Sequence, residues 1–102
     1  MNTENLIAHS RARFEHAAAK RTLKEKYLSK LIFAYNGGMF NAGPELINIL
    51  KASEGQQGLY LLDLYETPVI VDYKELLNLA QTRWQDTMKL WFEEFEQFSK
   101  NR

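Results

Sequence analysis

Cysteine is absent from the 102 residues. That excludes disulfides, cysteine-ligated zinc, iron–sulfur clusters and thiol nucleophiles together, and makes a reducing compartment the expected setting. No apolar run approaches the ~18 residues that would suggest a membrane span. Met1-Asn2-Thr3-Glu4 offers neither the basic start nor the apolar core of a signal peptide, so the expected location is cytoplasmic. An excess of one charge is also missing. Thirteen Lys and Arg balance thirteen Asp and Glu, so the whole chain is neither a polyanion mimic nor a general phosphate binder.

What is present is an ordinary globular composition, 45% hydrophobic and 25% charged, in a chain long enough for a single domain spanning 1–102. The balanced charge is unevenly distributed. Residues 1–35 carry seven basic and three acidic residues (+4), residues 36–71 one and four (−3), and residues 72–102 five and six (−1).

From Thr3 to Tyr35 there is no Gly or Pro, and Ala, Leu, Lys, Arg and Glu dominate, which predicts a helix over 3–35. Its large apolar residues cluster at the two ends, with Leu23 alone between Ala19 and Lys26. Asn36-Gly37-Gly38 reads as its left-handed stop and 36–43 as a loop. Gly43-Pro44-Glu45 opens a second helix over 44–53. Leu59 to Tyr65, Glu66-Thr67-Pro68 and Val69-Ile70-Val71 read as a hairpin over 59–71. Asp72 with Glu75 three residues on forms a capping signature, with Val71 and Leu76 as a hydrophobic staple. It opens a helix over 73–99. The stripe of Tyr73, Leu77, Ala80, Trp84, Met88, Trp91, Phe95 and Phe98 advances by threes and fours. The expected fold is mainly α: two long antiparallel helices, a short middle helix and a small β-hairpin as a minor α+β element.

Helices of roughly 50 and 42 Å would overhang a compact 100-residue globule, whose radius of gyration is near 13 Å. Either the first helix kinks at its polar middle, or the molecule is elongated and another chain covers the exposed stripe. The aromatic end of the last helix favours the second option, because each large ring buries on the order of 150–250 Å² when covered. Glu93, Glu94 and Glu96 crowd a helix C-terminus, where negative charge is unfavourable. Antiparallel packing would set Arg11 and Arg13 beside them, within the chain or across a symmetric dimer.

Four candidate sites compete with simpler roles. His9, Arg13, His16 and Lys20 form a polar stripe, but with no acid to complete a metal site a solvated or inter-subunit face is expected. The segment 36–44 resembles a phosphate cradle only superficially. No Lys or Ser/Thr comes after its last glycine, and Pro44 removes an amide donor, so a turn with Met39 and Phe40 in the core is expected. Arg11, Arg13, Lys20, Arg21 and Lys24 are the candidate nucleic-acid contacts, yet they spiral round the axis and no aromatic platform is interleaved. Asp63 stands in an apolar strand without a second functional group, so no catalytic residue, metal or cofactor is assigned.

The segments Tyr35-Asn36-Gly37-Gly38-Met39-Phe40, Gly43-Pro44-Glu45-Leu46-Ile47 and Glu66-Thr67-Pro68-Val69, with Trp91 and the acids after it, resemble small conserved proteins of uncharacterised role in large tailed, myovirus-type bacteriophages. The likeness spans most of the chain and carries no functional residues across. It implies phage origin, and a virion or assembly component or an early protein acting on a host factor. The leading expectation is a non-enzymatic protein that self-associates, with Trp84, Met88, Trp91, Phe95, Phe98, Met39 and Phe40 as the interface. The alternatives are a small regulator that binds a host protein or sequesters a ligand, and a nucleic-acid binder using the first helix. Its setting would be the host cytoplasm or the virion.

Overall fold

The computed structural model describes residues 3–100, with the side chains of the first helix described at Arg13 and from Glu15 onward. The order of elements is α1 (Thr3–Ser29), β1 (Ile32–Tyr35), β2 (Gly38–Asn41), α2 (Pro44–Ala52), β3 (Leu59–Leu62), β4 (Pro68–Val71) and α3 (Tyr73–Lys100). The chain is mainly helical, with two antiparallel two-stranded sheets, β1–β2 and β3–β4. Its radius of gyration is 19.5 Å and it measures 67 × 25 × 21 Å, against about 13 Å expected for a compact chain of this length. The molecule is a rod with a thickened head.

The first helix is shorter than its composition suggests. It closes at Ser29, whose hydroxyl donates to Lys26 O, and the next amides tighten into i→i+3 bonds, Lys30 N–H to Tyr27 O and Leu31 N–H to Leu28 O. The guanidinium of Arg83, across on α3, donates to Lys30 O at 3.0 Å and lies over the Phe33 ring. Tertiary contacts thus seal the helix end. Residues 32–41 then form a hairpin in place of a final helical turn and a loop. Asn36 (φ 48°) and Gly37 (φ 81°) both adopt positive φ, the requirement of the two-residue type I′ turn that joins antiparallel strands. Ile32 pairs with Asn41 and Tyr35 with Gly38. Phe33, Tyr35 and Phe40 turn inward while Ile32 and Ala34 face out, the period-two pattern of a half-buried strand.

Helix α2 starts at Pro44 behind Gly43, which caps it without a side-chain bond. Ile47 and Leu50 are its buried face. The second hairpin lies within 59–71, but β3 stops at Leu62; Asp63 to Thr67 forms the connection, with Glu66 at φ 62°. At the start of α3, Asp72 Oδ1 accepts the N–H groups of Lys74 and Glu75. The N–H of Asp72 itself goes to the Tyr35 hydroxyl oxygen at 3.2 Å. Helix α3 is therefore capped from one side by Asp72 and tied to the first hairpin on the other.

The core is concentrated in the head. Leu31, Phe33, Tyr35, Phe40, Leu50, Val71, Leu76 and Ala80 form one cluster, with Trp84 and Leu77 packed on its margin. Toward the far end of the rod α1 and α3 run side by side. Their antiparallel sense is set by the pairs Lys26–Glu94, Tyr27–Trp91 and His16–Phe98.

Candidate functional site: the stalk groove and the Asp63 brace

In the head, the buried carboxylate of Asp63 ties the two hairpins together. Its Oδ1 accepts the N–H groups of Tyr65 and Thr67, and its Oδ2 accepts that of Met39 on the first hairpin at 3.0 Å. Leu64 N–H donates to Met39 O at 2.8 Å beside it. The backbone donors of Thr67, then of Met39, hold the Asp63 carboxyl below its usual range, outweighing the opposing effect of burial. Asp63 is thus held inside the head by backbone donors of both hairpins. Each of these bonds is to backbone. Gly38 lets the hairpins approach this closely: a Cβ there would stand 2.8 Å from Val69 Cγ2 and 3.1 Å from Asp63 Cβ.

The stalk is built differently. Tyr27 and Trp91 stack at 6.1 Å with 7° between planes, and His16 stacks on Phe98 at 4.7 Å. Lys26 Nζ bonds Glu94 Oε1 at 2.7 Å in an exposed ion pair. That bond raises the Lys26 pKa and lowers that of Glu94. Glu94, at this end of α3, is thus answered by Lys26. Arg13 is exposed; Arg11 and His9 lie outside the residues with described side chains.

Beside these stacks runs a groove of about 740 Å³ lined by Ala17, Lys20, Arg21 and Lys24 of α1 and by Met88, Trp91, Phe92 and Phe95 of α3. Phe92 is 61% exposed and Phe95 37%. Two sets of residues that are separate candidates in the sequence, the aromatic stripe and the basic run, therefore meet on one surface. Only part of each set arrives there. Trp84 belongs to the margin of the head core and Phe98 is engaged by His16. Phe40 is buried in the head and Met39 is half-buried beside Asp63, so Phe40 presents no surface to a partner. Phe92 sits off the apolar stripe of α3; its aromatic neighbours in sequence were the available hint that it counts.

The segment 36–44 forms strands and a helix entry, not an anion cradle. Among the described residues no group of three or more His, Asp and Glu side chains could hold a metal ion, and no helix is long and apolar enough to cross a membrane. No family model, curated protein or solved structure matches this chain.

Proposed function

We propose that this is a non-enzymatic assembly protein that associates with further copies of itself through the stalk groove. The observation that carries the reading is the groove itself: an apolar floor of Met88, Trp91, Phe92 and Phe95 left open along a stalk only two helices thick. Layers of secondary structure ordinarily bury their apolar faces against a second layer. The head does so with two hairpins and α2, while among the described residues no further element lies over the groove face of the stalk. Aromatic side chains in such clefts are the residue types that dominate binding energy. The phage resemblance suits a part in virion assembly, and the three backbone donors on the Asp63 carboxylate suit a structural brace.

A second reading has one specific support. Helix α1 alone lacks an aromatic platform, but α3 brings Trp91, Phe92 and Phe95 alongside Lys20, Arg21 and Lys24, which is the pairing used to stack and neutralise single-stranded nucleic acid. Glu93 and Glu96, exposed on the same stretch of α3, work against a polyanion.

Light scattering over a micromolar concentration series separates the two. Self-association gives a molar mass that rises with concentration and stays at the monomer value in Phe92→Glu. A wild-type protein that remains monomeric but shifts a labelled single-stranded oligonucleotide in a salt-dependent manner would establish the second reading instead.

A further inference from the structure

The charged residues lining the stalk groove are Lys20, Arg21 and Lys24, all basic. Two copies meeting groove to groove would gather six like charges around one apolar contact, and like-charge juxtaposition opposes association. The groove instead fits an apolar surface edged with carboxylates. The head carries one. Leu62, Leu64 and Ile49 stand exposed beside a second hollow of about 510 Å³, whose exposed charged residues are Glu45 and Glu66; Asp63 lies buried at its base. No basic residue lines it. Leu62 is 65% exposed and the adjoining Tyr65 76%. Glu66 also holds left-handed backbone at φ 62°, where glycine or asparagine is the less costly residue.

Resting on the self-association reading above, we infer that the stalk groove of one copy receives the acid-edged flank of the head of another. The contact is head to stalk. Phe92 and Phe95 meet Leu62 and Leu64, and Lys20 and Lys24 face Glu66 and Glu45. Because the two surfaces share no residue, one such contact leaves each pair of copies with one free head and one free groove, which either bind each other in a reciprocal two-fold dimer or take up further copies into a ring or an open filament.

Complementary variants test this. Phe92→Glu disables the groove and leaves the head; Leu62→Lys disables the head and leaves the groove. Both positions are exposed, and a circular dichroism melt that matches wild type at low micromolar concentration confirms that each variant folds. Sedimentation velocity of each variant alone should show monomer at concentrations where wild type forms larger species. Mixed one to one, they should give a dimer that does not grow further, since only one working contact remains. If Leu62→Lys assembles like wild type, association is groove to groove or elsewhere, and the head-to-stalk inference falls while self-association stands. If the variants are both monomeric but their mixture stays monomeric too, the inference also falls. A wild-type protein that is monomeric throughout overturns both readings, an acidic segment of another protein then being the remaining occupant for the groove.

Discussion

The head and the stalk of this protein use the same kinds of residue to opposite ends. In the head, Phe33, Tyr35, Phe40 and Val69 are covered by strands and a helix that bond to one another through Asp63, Asn36 and Tyr35. In the stalk, Trp91, Phe92 and Phe95 have one neighbouring helix and an open face. Burial in the head has gone to completion, with Leu31, Leu50 and Leu76 essentially inaccessible. Aromatic content alone therefore does not mark a core. What decides is whether a second layer exists to close over it, and the chain supplies that layer only between residues 30 and 80.

The comparison is sharpened first by truncating one side chain in each region. Leu76→Ala should lower unfolding free energy by about 2–5 kcal/mol, the range for emptying a fully packed site. Phe92→Ala, at an exposed position, should change monomer stability by no more than about 0.5 kcal/mol. Urea unfolding at low protein concentration measures both. Equal losses would mean that the stalk is as closed as the head.

Next comes the contact between the hairpins. Gly38→Ala places a methyl against Val69 and an Asp63 side chain fixed by three bonds, neither free to withdraw. A destabilisation of about 1–3 kcal/mol is expected. Gly55→Ala is a useful companion: its Cβ meets nothing within 4 Å, although its φ of 85° still imposes strain. A larger loss at Gly55 than at Gly38 would show that backbone conformation, and not close approach, dominates.

Asp63 gives a pH-dependent effect confined to the head. Its folded pKa is lowered, so the folded state keeps the carboxylate ionised where the unfolded chain would bind a proton. Its stabilising contribution is complete above the ordinary carboxylate range and is lost as pH falls below about 4. Asp63→Asn should melt below wild type at pH 7, with the gap closing as pH drops toward 2. A gap that is constant with pH would remove the ionised carboxylate from the account.

The smallest effect belongs to the stalk. Lys26 and Glu94 form an exposed pair that salt screens. Glu94→Gln should cause a slight loss of thermal stability at low ionic strength that disappears in high salt. The Glu94 share fades as pH falls through its lowered pKa, and the Lys26 share as pH rises through its raised one.

Much of this architecture is legible in the sequence where one signal has one structural meaning. Asp72 with Glu75 marks the start of α3, and Gly43-Pro44 that of α2, because caps and first-turn prolines act locally. Asn36-Gly37 is ambiguous. Positive φ terminates a helix and also makes a type I′ turn, and the preceding helix-forming run favours the stop. The alternation of Ile32-Phe33-Ala34-Tyr35, with Phe33 and Tyr35 on one face, is the signal for a strand. The role of Asp63 is not legible, since its partners Met39 and Thr67 come from two hairpins whose docking depends on Gly38. Nor is the groove. Its aromatic and basic halves are each visible as stripes, but only the antiparallel register of α1 and α3 places Lys20 and Lys24 beside Phe92.

The division of labour between a closed head and an open stalk is tested most directly by the thermal unfolding midpoint as a function of protein concentration. Association of folded copies stabilises the folded state by mass action. The wild-type midpoint should therefore climb from low micromolar to hundreds of micromolar. That of Phe92→Glu should stay flat and coincide with wild type at the lowest concentration. Midpoints that are flat for both proteins, or that climb equally for both, would contradict the account.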